Sequence, residues 1–292
     1  MIVPPAGAQP PRNCFLCPRL AAFREAQRRA HPEWFNGPVP PFGDARAELL
    51  IVGLAPGLRG ANRTGRPFTG DYAGGLLYAT LRKYGFAEGD YDARPDDGLE
   101  LRHVRITNTV RCVPPQNKPE PSEVANCRRF LAAEIGAMPR LRAILALGAI
   151  AHHAILTALG FRRALFPFEH GRLHGLPCGL TLADSYHCSR LNTNTGKLSP
   201  AMFEAIFALL SSHFDAPQSG AALDISLPQN AGPATLPIPL FLGLTLVRLP
   251  LSSGETEFDL GPPSVVEINR KRHDRDAVAP DRAQQPVHLL AV

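Results

Sequence analysis

Between residues 48 and 213, short apolar runs alternate with longer amphipathic stretches, and that alternation sets the expected fold. Glu48–Leu54 (ELLIVGL) is a continuous apolar run bounded by Ala-Pro-Gly, the pattern of a strand buried on both faces of a parallel sheet. Val104–Val110 (VRITNTV) is β-branched and alternating, Arg142–Leu147 (RAILAL) is again continuous, and Leu180–Tyr186 (LTLADSY) supplies a fourth strand. Helical periodicity fills the gaps over 73–84, 122–137, 148–159 and 200–213, with Ser122 as the expected cap of the second. Upstream, Arg19–Arg29 reads as a basic amphipathic helix that stops near His31-Pro32. Strands alternating with helices predict an α/β protein, a three-layer α/β/α body around a central four-stranded parallel sheet. Such sheets bind ligands in the loops beyond the carboxyl ends of their strands. Segments 55–71, 108–119 and 187–196 all fall there.

The pattern stops near Asp215. Residues 216–292 are rich in Pro and Ser, lack helical periodicity and hold one strand-like patch, Pro239–Val247. They read as a low-complexity C-terminal extension, poorly structured, behind a body spanning 1–215. Charge divides at the same place. The chain carries +5, but the tail has eight acidic against six basic residues, which leaves +7 on the body. A basic body suits a phosphate backbone, whose neutralisation releases counterions. The longest apolar run, Leu236–Val247, is twelve residues with two prolines, too short to span a bilayer, so no membrane partner is expected. Met1-Ile2-Val3-Pro4-Pro5 lacks the basic and apolar regions of a signal peptide, and a cytoplasmic protein is expected.

In that compartment six cysteines are not expected to pair as disulfides. Cys14 and Cys17 form C-x2-C, and Cys112 and Cys127 follow the second strand. Four soft thiolates suit either zinc or an iron–sulfur cluster, and their spacing alone does not choose. Gly60-Ala61-Asn62-Arg63-Thr64-Gly65 has the glycine spacing of a phosphate-binding loop, but Arg66-Pro67 stands where that loop needs Lys and Ser/Thr. Nucleoside triphosphate binding is therefore not expected.

Three segments carry the strongest signal. The first runs from Gly53-Leu54-Ala55-Pro56-Gly57 through Gly60 to Pro67-Phe68-Thr69-Gly70-Asp71. The second is Thr107-Asn108-Thr109-Val110-Arg111-Cys112-Val113-Pro114-Pro115, with Asn117-Lys118-Pro119 behind it. The third is Ser185-Tyr186-His187-Cys188-Ser189-Arg190-Leu191-Asn192-Thr193, followed by Thr195-Gly196. In this order, and over roughly residues 12–213, they resemble the family 5 (type B) uracil-DNA glycosylases. The resemblance implies a monofunctional base-excision repair enzyme, monomeric, acting on double-stranded and also single-stranded DNA. Such an enzyme flips out uracil and other deaminated or damaged bases, hydrolyses the N-glycosidic bond and leaves an abasic site. It also implies a [4Fe–4S] cluster held by Cys14, Cys17, Cys112 and Cys127.

By the same resemblance Asp71, Asn108 and His187 are the catalytic residues, and Gly53, Ala55, Phe68 and Asn192 bind the substrate. Phe68 would stack on the base, although an aromatic there also suits a core. Asn108 offers donor and acceptor to the pairing edge of uracil. His187 would donate to the departing base. Asp71 would orient water or stabilise the sugar cation, and it also stands where a carboxylate caps the helix that follows. Arg190, Leu191 and Lys197 would contact DNA, with Leu191 as a wedge in the gap left by the flipped base. Related family 4 enzymes place a glutamate after the first glycine of the first segment; Leu54 stands there, which puts the chemistry on Asp71, Asn108 and His187. The residues alone also admit a non-catalytic iron–sulfur protein that binds DNA or senses redox state, or a zinc-stapled α/β protein.

Overall fold

The computed structural model describes residues 9–215, so the expected extension over 216–292 and its patch Pro239–Val247 lie outside the described residues. Strand β1 (Leu49–Gly53) lies between β4 (Val104–Asn108) and β5 (Ala143–Leu147), parallel to both, and β7 (Thr181–Ser185) pairs parallel with β5. The chain grows first to one side of β1 and then to the other, which opens a crevice at the carboxyl ends of β1 and β5. Alternate residues of each strand feed opposite faces. Leu49 and Ile51 pack with Leu77, Tyr78, Phe203 and Phe207, from helices α3 (Tyr72–Lys83) and α7 (Pro200–Asp215). Leu50 and Val52 pack with Leu131, Ile135 and Ile155, from α4 (Pro121–Gly136) and α5 (Ala149–Ala158). The α/β/α layering is as the periodicity predicts.

The sheet has five strands rather than four. β6 (Leu173–Gly175) adds to the β7 edge in antiparallel sense, with His174 opposite Leu182. Three residues centred on a histidine carry no period that a sequence reading can detect. A hairpin of two-residue strands, β2 (Ala87–Glu88) and β3 (Glu100–Leu101), and the short helices α2 (Ala61–Thr64) and α6 (Arg190–Asn194) were equally silent. Ser122 is not the cap of α4. Pro121 starts the helix, and Glu120 and Glu123 form a reciprocal capping box around that start. Among the described residues no helix is long and apolar enough to cross a membrane.

Helix α1 (Pro18–Ala30) sits apart from the two main layers. Its Leu20 packs on Val110, Cys112, Cys127 and Phe130 in a third apolar cluster. Beside it lies a buried ionic group: Glu134 accepts from Arg105 Nε at 2.8 Å, from Thr107 Oγ1 at 3.0 Å and from Arg111. Glu134 is 2% exposed and Arg111 1%, so neither charge has water to fall back on. Burial alone would raise the Glu134 carboxyl, but the two guanidinium groups hold it below the ordinary range. This group joins β4 and the segment after it to α4.

Candidate active site

The loop after β1 is built around the Asp71 carboxylate. Asp71 occupies the N-cap position of α3, yet its side chain makes no capping bond. It turns back instead and accepts from the backbone N–H groups of Gly57 and Ala61. The loop makes room by omitting side chains. A Cβ on Gly57 would lie 2.5 Å from Asp71 Oδ1, and one on Gly60 would lie 1.9 Å from its Cγ. Burial raises the carboxyl above its ordinary value, against the opposing pull of the two N–H donors and Arg63. Such a carboxylate is held by fixed dipoles and partly stripped of water, which suits positioned acid–base work.

Three further expected residues meet at this place. Phe68 has a left-handed backbone (φ 55°), a conformation that a bulky residue holds only when its neighbours over-determine it. They do. Tyr78 Oη donates to Pro67 O at 2.6 Å, Tyr91 Oη to Phe68 O at 3.2 Å, and Arg66 Nε to Thr69 Oγ1 at 2.7 Å. Arg66 is itself forked onto Asp97 at 2.7 and 2.8 Å. Asn108, the last residue of β4, comes close to the Phe68 ring: a Gly53 Cβ would meet Asn108 Oδ1 at 2.5 Å and Phe68 Cζ at 2.6 Å. Gly53 therefore acts by leaving that space open. The His187 ring stacks near Phe68, centroids 5.9 Å apart at 27°. Burial lowers His187 to about 4, so at neutral pH the ring is a neutral imidazole with one N–H to donate.

Phe68, Asp71, Asn108 and His187 line one cleft, together with Leu54, Ala55, Pro56 and Gly57. Leu54, directly after Gly53, gives the cleft an apolar wall. Arg190 and Leu191 form one rim; the Arg190 guanidinium lies 5.1 Å from the Tyr72 ring centre, and Leu191 is 71% exposed. Three residues expected at the site lie off the cleft wall: Gly53, at the end of β1 behind the Phe68 ring, Asn192 and Lys197. Asn192 donates from Nδ2 to His187 O at 2.8 Å, and Lys197 sits with Nζ 4.7 Å from the Tyr186 ring centre. Gln116, Asn117 and Lys118 belong to the site as well, although no expectation above assigns them a role. They line the cleft on a turn in which Gln116 and Asn117 are both left-handed (φ 56° and 58°). Their place in the second segment, just before Pro119, was the available signal.

Cys14, Cys17, Cys112 and Cys127 are free thiols lining a separate small cavity, walled by Leu16, Leu20, Val110 and Phe130. Burial raises the thiols of Cys17 and Cys127, and pushes Cys112 up to about 12. Thiolates are stable in such a place only against a compensating positive centre. Donors already point at the sulfurs: Arg24 Nη1 at 3.5 Å from Cys112, the Arg111 N–H at 3.4 Å from Cys127, and Asn126 Nδ2 at 3.7 Å from Cys17. Four cysteine sulfurs around one apolar cavity, three of them with N–H groups aimed at them, fit an iron–sulfur cluster.

Residues 40–211 match the family model of the uracil DNA glycosylase superfamily. The type-5 uracil-DNA glycosylase of Thermus thermophilus is 47% identical over 196 residues, covering 65% of this chain and 89% of that protein. Its counterpart in Pyrobaculum aerophilum is 43% identical over 191 residues, covering 64% and 83%. A type-4 uracil-DNA glycosylase of the same archaeon is 35% identical over 152 residues, covering 52% and 63%. This chain therefore belongs to the uracil DNA glycosylase superfamily, and its likeness to type-5 members runs across most of their length.

Proposed function

We propose that this protein is a DNA repair glycosylase that extrudes uracil from DNA and hydrolyses its N-glycosidic bond, leaving an abasic site. The observation that carries this reading is the convergence of Phe68, Asn108, His187 and Asp71, from three loops far apart in sequence, on one cleft. Phe68 offers a ring for the base to stack on, a contact worth about 1–3 kcal/mol. Asn108 presents a carboxamide to the pairing edge. His187, neutral, donates a hydrogen bond to the oxygen that gains charge as the base departs. Asp71 orients the attacking water and stabilises the positive charge that develops on the sugar. The apolar Leu54 leaves Asp71 as the carboxylate of the cleft, so the acid–base role falls to it. Arg190 and Lys118 on the rims supply positive charge for phosphate, and Leu191 fills the gap in the stack. The resemblance to family 5 enzymes makes hypoxanthine and ethenocytosine further candidate bases.

The four cysteines would hold a [4Fe–4S] cluster whose part is structural. Cys14 and Cys17 precede α1, Cys112 follows β4 and Cys127 lies on α4, so a cluster there ties α1 to the loop that carries the Gln116–Lys118 rim. Release of free base from uracil-bearing single- and double-stranded oligonucleotides tests the reading. Asp71→Ala, Asn108→Ala and His187→Ala should each slow release; full activity in all three refutes the assignment. DNA binding without release would favour a non-catalytic protein.

A further inference from the structure

The sheet edge beside the cleft holds a buried polar group with no part in the chemistry above. Asp184, on β7, is 0% exposed. Its carboxylate meets His152 Nδ1 at 2.6 Å, His174 Nε2 at 3.1 Å and the Glu169 N–H at 3.2 Å. His152 Nε2 in turn meets Phe166 O at 2.8 Å. These three side chains have the composition of a metal site, but both histidines already meet the Asp184 carboxylate, and the other ring nitrogen of His152 meets the Phe166 carbonyl. The group does something else. It fastens the segment 166–172 to the end of β7, a seam reinforced by the bonds Gly171 N–H to Asp184 O at 2.8 Å and Asp184 N–H to Arg172 O at 2.9 Å.

That strap carries His170. Its ring stacks on Tyr186 at 4.7 Å with an interplanar angle of 5°. Its Nδ1 accepts the Tyr186 N–H at 3.1 Å. Tyr186 is the first residue past β7, where the sheet ladder no longer fixes the backbone, and His187 follows it directly. On the other flank His187 O is held by Asn192 Nδ2. We propose that His170 is a positioning residue for His187: anchored by the Asp184 group, it fixes the peptide that aims the His187 ring across the cleft. The Nδ1 acceptor holds the Tyr186 N–H, and the ring adds a stacked contact on the Tyr186 face. This inference rests on the excision reading only for its kinetic test.

A misplacement of about 1 Å of a reacting group can cost on the order of 10²-fold in rate. His170→Ala should therefore slow single-turnover uracil excision by about 10- to 100-fold while affinity for the uracil duplex stays unchanged. His170→Asn keeps an acceptor at the reach of Nδ1 and should restore most of the rate. In a His187→Ala background, His170→Ala should have no further effect, because its target is gone. A second readout does not depend on turnover: in protein labelled with nitrogen-15 histidine, the His187 ring resonances should move in His170→Ala and return in His170→Asn. The proposal is overturned if His170→Ala excises at the parent rate. It is equally overturned if alanine and asparagine are slow alike, or if the loss persists at full size in the His187→Ala background. Should the parent release no base, the excision reading fails, and unmoved His187 resonances in His170→Ala then overturn the positioning claim by themselves.

Discussion

Gly57 offers a direct test of whether the Asp71 carboxylate must sit where the loop holds it. A methyl at Gly57 would approach Asp71 Oδ1 to 2.5 Å, Oδ2 to 2.8 Å and Cγ to 2.9 Å. The backbone of Gly57 is not left-handed, so alanine is not barred by conformation, and the collision is with a side chain that can rotate away. To regain ordinary contact the carboxylate must withdraw by about 1 Å, and displacement of that size can cost on the order of 10²-fold in rate. Gly57→Ala should therefore fold with a nearly unchanged melting temperature and excise uracil on the order of 10²-fold more slowly. Asp71→Ala alone should lose on the order of 10²- to 10⁴-fold, the range of a positioned acid–base group. The two losses should not multiply. If Gly57 acts only through Asp71, adding Gly57→Ala to Asp71→Ala leaves the single-turnover rate where it was. A Gly57→Ala enzyme as fast as the parent refutes the reasoning, as does a double variant slower by the product of the two factors.

Other outcomes follow from the same geometry. Because burial raises Asp71, the acid limb of the excision rate should lie above the range of an ordinary carboxylate, with activity lost as pH falls through it; Asp71→Asn should flatten that limb. Burial lowers His187 from about 6.5 to about 4, so the unfolded chain binds its proton first and stability should decline as pH falls from about 6.5 towards 4. The decline should stay below about 3 kcal/mol because the ring faces an open cleft, and His187→Gln should remove it in urea melts taken across that window. Glu134→Ala leaves Arg105 and Arg111 buried without their counter-charge and should cost about 3–5 kcal/mol at constant urea m-value. With the proposed cluster in place the purified protein should be brown; Cys112→Ser should then remove that colour and lower the melting temperature, whereas Cys178→Ser, which is outside the thiol cavity, should do neither.

The main strands were legible because burial on both faces leaves a plain mark: Leu49 to Val52 has no polar residue to hide its period. β6 left no such mark, since its pairing with β7 is stabilised by side chains such as His174 and Asp184 that meet only in three dimensions. The cleft residues were found from segments with known chemistry, and local pattern alone would not have separated Phe68 from a core phenylalanine. Indeed Phe68 is both, 4% exposed and still on the cleft wall. Asp71 shows the opposite ambiguity. A carboxylate before a helix reads as a cap, and only the two glycines upstream, emptied to receive it, tell where it points. Asn192 sits in the third segment beside cleft residues, but sequence neighbours in a short helix face different ways, and Lys197 lies beyond the end of that helix, so the segment could not say which of them reach the cleft.

Leu191 stands in water with 71% of its surface uncovered. Transfer of a leucine side chain out of solvent is worth about 1.5–3 kcal/mol, close to the few kcal/mol that opening one base step requires. In the proposed wedge role, such a residue would hold that driving force in reserve until a base step opens beneath it. The same bare side chain is adhesive towards any apolar surface, so the free enzyme trades some solubility for a spring already set.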